Sequence, residues 1–176
     1  MGSPDLPISE RPRELLLFRH GIAAERADTR ADPGADADAG ADAQRALTAE
    51  GRSRTRAVAA QLVRLGLGAE RLVSSPLVRA RQTGEIAVAA GLAPRLELDG
   101  ALAPGGDPLP LVWESSCSRL MLVGHEPDLG LLACRLLGAP AGAIQLKKAG
   151  VALIALTPMP RLLLLLAPRV LLLPGP

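Results

Sequence analysis

The chain contains two histidines, and each follows a short apolar run. Leu15-Leu16-Leu17-Phe18 passes directly into Arg19-His20-Gly21, and Leu120-Met121-Leu122-Val123 into Gly124-His125-Glu126-Pro127. A third run, Arg71-Leu72-Val73, ends in Ser74-Ser75-Pro76, with Arg79 and Arg81 close behind. Imidazole among guanidinium groups suits phosphoryl transfer. Only neutral imidazole attacks phosphorus, neighbouring cations disfavour its protonation, and the same cations hold charge that builds on the equatorial oxygens. Each motif also has a plainer reading: a surface turn for Arg19-His20-Gly21, solvated helix residues for the two arginines, a structural turn residue for His125. Their convergence selects the chemistry, because ligand sites in an open parallel sheet form outside the carboxyl ends of strands, where all three segments deliver their polar residues.

The elements that must position these residues follow from the spacing. Short apolar runs alternate with helical periods, the pattern of helices covering a mostly parallel sheet. Strands are expected at Glu14–Phe18, Arg71–Val73, Arg95–Leu98, Arg119–Val123, Val151–Leu156 and Leu162–Leu166, the last as a buried strand. Thr48 is placed to cap a helix with Val58, Leu62 and Leu65 on one face and Gly66 at its stop. Ser75 as cap and Pro76 in the first turn open a second helix that runs to about Gly91, and an arginine there adds to the positive end of the helix. A third begins near Pro127, buries Leu129, Leu132, Leu136 and Leu137, and ends at Gly138. The expectation is a single domain over residues 1–176 with its core at about 14–167 and a flexible, alanine- and aspartate-rich loop at 27–43. Asp36 and Asp38 open that loop like a calcium site, but its other ligands are missing; an insertion in solvent is the favoured reading and a lid over substrate the weaker one.

Arg19-His20-Gly21, Ser74-Ser75-Pro76 with Arg79 to Thr83, and Gly124-His125 together resemble the histidine phosphatase superfamily. That resemblance implies a phosphoglycerate mutase-like fold, a three-layer α/β/α architecture around an open, mostly parallel sheet. The short chain, Ala46-Leu47-Thr48-Ala49-Glu50-Gly51, the stretch from Val123 to Pro127 and Lys147-Lys148 look most like the SixA-like phosphohistidine phosphatase branch. The likeness spans roughly Glu14 to Leu156. It implies His20 as nucleophile, Arg19 and Arg79 on the phosphoryl oxygens, and His125 completing the pocket. Arg79, not Arg81, matches the family position before the alanine. Arg45 is a further phosphate-binding candidate whose plainer reading is an exposed loop residue.

Related phosphomonoesterases place a carboxylate after the third strand to protonate the leaving oxygen, and Asp99 to Asp107 offers no firm match to it. Asp107 and Glu126 are the candidate acids, although each is equally explained as a helix N-terminal carboxylate. An alkoxide is about as basic as hydroxide, whose parent water has a pKa of about 15.7, and needs a proton as it leaves. Imidazole titrates near about 6.5, so a ring-protonated phosphohistidine departs as neutral imidazole without that help. The leading expectation is therefore a phosphohistidine phosphatase acting on a phosphorylated protein. A phosphatase for a small phosphorylated metabolite, such as a sugar or nucleotide phosphate, is the alternative, and a non-catalytic phosphate-binding module the third.

Composition narrows the field further. A formal charge of +2 from 20 basic and 18 acidic residues, with Phe18 and Trp113 the only aromatics, gives neither the charge nor the stacking platform for nucleic acid. Cys117 and Cys134 have no metal-like spacing and read as reduced structural residues, so neither a metal nor another cofactor is expected. The first apolar run, Leu15 to Phe18, is too short for a signal segment, and Pro168 and Arg169 interrupt the leucine-rich stretch, so a cytoplasmic protein without a membrane span is expected.

Overall fold

The computed structural model describes residues 14–25 and 40–173. Six strands, β1 (Glu14–Arg19), β2 (Arg71–Ser74), β3 (Leu96–Leu98), β4 (Arg119–Gly124), β5 (Val151–Ala155) and β6 (Arg161–Leu166), form one sheet in the order β3-β2-β4-β1-β5-β6. The pairings β3-β2, β2-β4 and β4-β1 are parallel, whereas β5 runs antiparallel to both of its neighbours. The chain thus lays down β1, β2 and β3 and then returns to insert β4 between β1 and β2. Arg19 pairs in register with Gly124, and Ser74 with Val123. The carboxyl ends of β1, β2 and β4 are consequently level with one another, at the place where an open sheet collects its ligand.

Alternation along the strands separates two cores. Leu16 and Phe18 of β1 join Leu72, Met121 and Val151 on one face, while Leu15 and Leu17 join Val73, Leu120 and Ile154 on the other. Helices α1 (Ala49–Arg64), α2 (Val78–Ala89) and the short α5 (Pro168–Leu171) contribute residues to the first core. Helices α3 (Leu109–Trp113) and α4 (Asp128–Leu137) and the 3₁₀ turn Gly100–Leu102 contribute to the second. Phe18 is the only phenylalanine, so closely packed leucine, valine and alanine supply the burial, each fully buried leucine or valine contributing roughly 1.5–3 kcal/mol. The architecture is the expected three-layer, mostly parallel α/β sandwich of the phosphoglycerate mutase-like kind.

Several local expectations change. Thr48 does cap α1, accepting a hydrogen bond from Gly51 N, and Val58 and Leu62 are buried, but Leu65 is half exposed because it is already the C-cap residue. Helix α2 starts later than Ser75-Pro76: Leu77 is its N-cap, and the Ser75 hydroxyl accepts from Leu77 N to turn the chain ahead of the helix. In α4, Leu129, Leu132 and Leu136 are buried as expected, whereas Leu137 is only partly covered; Gly138 ends the helix with φ of 65°. Strand β6 is not buried. It is the sheet edge, Leu162, Leu163 and Leu165 are 41%, 47% and 42% exposed, and only Leu164 and Leu166 pack partly against the first core. A register shift between β5 and β6 leaves Leu163 as an extra residue, which an unbroken buried ladder would not tolerate. The calcium-like pair Asp36 and Asp38 and residues 27–39 of the expected loop lie outside the described residues; residues 40–43 are helical.

Candidate active site

His20 leaves the end of β1 and is 5% exposed. Its backbone is tied on both sides, His20 N donating to Gly124 O and its carbonyl accepting from Ala149 N. The ring Nδ1 lies 2.7 Å from Gly21 O. A carbonyl oxygen only accepts, so Nδ1 carries the proton and Nε2 holds a free lone pair. Burial, reinforced by His125, Arg79 and Arg19 and opposed by the Gly21 carbonyl, lowers the pKa of this imidazole to about 3. The ring is neutral at neutral pH, the form in which a nitrogen is nucleophilic.

His125 follows β4 and faces His20, with ring centroids 5.0 Å apart and tilted by 54°. Its Nε2 is 2.9 Å from the Ser75 hydroxyl, which the end of β2 supplies, and its Nδ1 is buried with no hydrogen-bond partner among the described residues. Burial, followed by Arg79, pulls its pKa down to about 4, with Asp42 acting in the opposite direction.

Arg79 sits in the first turn of α2, buried, while Arg81 is exposed and pairs with Glu85. Among the described residues, helix α2 has no side-chain cap and no acid in its first turn, which leaves its positive end to an anion. The Arg79 guanidinium donates to Asp42 O at 2.7 Å and to Asp42 Oδ2 at 2.9 Å. Arg45 pairs with the other oxygen of the same carboxylate at 3.1 Å, so Asp42 joins two cations beside the histidines. Thr83, one turn along α2, accepts from Gly21 N and donates to Arg79 O, coupling the backbone after His20 to the helix that carries the arginine. Arg19 donates to Leu146 O at 2.7 Å, and its Nε is buried without a partner among the described residues. Burial lowers its pKa, with Glu126 opposing.

His20, His125, Arg19 and Arg79 therefore come together, with Arg45 reaching the group through Asp42. The two candidate acids do not stand alike. Asp107 is exposed, accepts from Leu109 N and pairs with Arg135, as a carboxylate at the start of α3 would. Its pKa is held down, first by the Leu109 N–H. Glu126 shares with Arg19, Gln145 and Lys147 a cleft of about 320 Å³. It accepts from Leu146 N at 3.1 Å and from Gly130 N, yet burial dominates and raises its pKa. Three residues of the site have no site-like signal in the sequence: Asp42 lies in an alanine-aspartate run, although it precedes Arg45 by three; Ser75 has the pattern of a helix cap; and Thr83 stands at the end of the Arg79 to Thr83 segment.

Comparison with known proteins places this geometry. Residues 15–103 match the model of the histidine phosphatase superfamily, branch 1. The chain belongs to the histidine phosphatase superfamily. Another protein similar to this superfamily member is an uncharacterized protein of Picosynechococcus sp., 43% identical over 145 residues, covering 78% of this chain and 82% of the relative. Among solved structures, a protein histidine phosphatase SixA complexed with tungstate superposes with a TM-score of 0.73 at 23% identity, covering 90% of this chain and 99% of that one. The α-ribazole phosphatase of Shigella flexneri superposes at 0.65 with 16% identity, covering 88% and 96%. At these identities the solved structures establish the shared fold, and the superfamily as a whole is one of phosphatases. Among the described residues, no helix is long and apolar enough to cross a membrane.

Proposed function

We propose that this member of the superfamily is a phosphohistidine phosphatase. The Nε2 lone pair of His20 attacks phosphorus, the bond from phosphorus to the substrate's ring nitrogen breaks, and the protonated ring leaves as neutral imidazole. Water then attacks the phosphorylated His20; the P–O bond forms, the P–Nε2 bond breaks, and phosphate and a proton depart. Arg19 and Arg79, with Arg45 behind Asp42, hold the phosphoryl oxygens, and the positive end of α2 adds to them. The observation that carries the reading is the pairing of a neutral, lone-pair-bearing His20 with two carboxylates, Asp107 and Asp42, that arginines already engage. Asp107 is tied to Arg135, and Asp42 accepts from Arg79 and pairs with Arg45, an arrangement for a carboxylate and not for a proton donor. A leaving group that needs no proton fits such a pocket best.

Glu126 supports a second reading. It stands beside Arg19 with its pKa raised, the direction a general acid requires. In that case the substrate is a small phosphate ester and Glu126 protonates its leaving oxygen. Turnover of a phosphohistidine peptide and of a panel of alkyl phosphates separates the two. Faster hydrolysis of the peptide, with acid-labile phosphate trapped on His20, is the expected result. Faster hydrolysis of the esters, abolished in Glu126→Gln, transfers the assignment to the second reading.

A further inference from the structure

The Ser75 hydroxyl has a single proton and two lone pairs to place. Leu77 N–H, 3.3 Å away, takes one lone pair, and the hydroxyl forms no other hydrogen bond among the described residues than the 2.9 Å contact with His125 Nε2. Ser75 is fully buried, so an unmatched hydroxyl proton would be costly, on the order of 1–3 kcal/mol. Two arrangements are possible. If Nε2 carried the imidazole proton and donated it to Ser75, the hydroxyl proton would be orphaned and Nδ1 would be an unmatched lone pair. If Ser75 donates to Nε2, every group is matched except one, the Nδ1 proton of His125, which has no acceptor among the described residues.

We propose that Ser75 is a positioning residue that fixes His125 as the Nδ1–H tautomer, so that His125 meets the transferring phosphoryl group as a neutral hydrogen-bond donor. The two histidines then share one tautomer for different ends. The Gly21 carbonyl sets it in His20 to expose a nucleophilic nitrogen, and the Ser75 hydroxyl sets it in His125 to expose a donor. A neutral donor adds to the arginines without raising the positive charge around His20, which must itself remain uncharged to react. The role in transfer rests on the proposed phosphatase activity; the tautomer does not.

With two histidines in the chain, ¹⁵N-labelled imidazoles give a simple NMR spectrum, and His20→Gln assigns it. In the unmodified protein at neutral pH, His125 should show a protonated Nδ1 and an unprotonated Nε2. Ser75→Ala should shift His125 toward the Nε2–H form and lower kcat by about 10- to 100-fold, the range seen when a partner that orients a metal-bound imidazole is removed. Ser74→Ala, which removes the neighbouring hydroxyl that donates to Ser75 O, should leave the tautomer in place. An Nε2–H His125 in the unmodified protein overturns the proposal whether or not any variant folds. So does a Ser75→Ala protein with tautomer and kcat both unchanged. Loss of the phosphoenzyme reading would instead appear as no label on His20, with the tautomer as stated.

Discussion

At the scale of single residues, Asp42 is the group whose charge opposes the rest of the site. Its carboxylate spans Arg79 and Arg45 much as a phosphoryl group would, through two oxygens and charge-assisted bonds. An incoming anion therefore competes with Asp42 for Arg79. Asp42→Asn keeps the volume and removes the competing charge, and tungstate or inorganic phosphate should bind about tenfold more tightly, equivalent to about 1.4 kcal/mol. The same change takes a charged partner from a buried guanidinium, so stability should fall, by about 1–3 kcal/mol. Opposite signs in titration calorimetry and in urea unfolding are the expected pair of results. Weaker anion binding in the variant would show that Asp42 orders Arg79 for the ligand instead of competing with it.

At the scale of elements, the site depends on how closely the segment after β1 approaches α1. Gly51 lies in the first turn of α1, and a Cβ there would run into the carbonyl of Ile22, two residues beyond His20. That carbonyl already accepts from Thr48 N at 3.0 Å, so it is not free to retreat. Gly51→Ala should cost about 1–3 kcal/mol of stability, as overpacking does, and should lower kcat by displacing Gly21 and His20. Gly100→Ala is the control, since a Cβ there meets nothing within 4 Å. Equal urea midpoints for the two variants would remove this account of the glycine. What the sequence discloses depends on how local each interaction is. Level strand ends were legible because each apolar run breaks abruptly into polar residues, and the cap at Thr48 because it is a local hydrogen bond. Asp42 was not legible, because its partner Arg79 is distant in sequence and the composition around it reads as solvent. Nor was the exposure of β6: five consecutive leucines look buried until the topology puts them on an edge.

At the scale of the whole molecule, the two histidines tie stability to pH. In the folded chain their pKa values are lowered to about 3 for His20 and about 4 for His125, chiefly by burial, whereas an unfolded imidazole titrates near about 6.5. Between those values the unfolded state binds more protons than the folded state. The histidines' contribution is thus complete above about pH 6.5 and is lost as pH falls toward the folded values, at up to about 1.4 kcal/mol per pH unit for each histidine. Glu126, whose pKa is raised, acts in the opposite sense, gaining stability as it protonates. Glu97, held low first by its hydrogen bond with Arg71, loses its contribution only below the ordinary carboxylate range. Between about pH 6.5 and 5 the histidines therefore dominate the slope. Urea midpoints measured in phosphate-free buffer should fall steadily from pH 7 to 5, and a His20→Gln, His125→Gln protein should show a much flatter profile. Phosphate added at pH 5 should restore part of the loss, because an anion between the arginines binds only the folded chain. A flat profile in the unmodified protein would mean that the rings are not held neutral, and the nucleophile assigned to His20 would lose its basis.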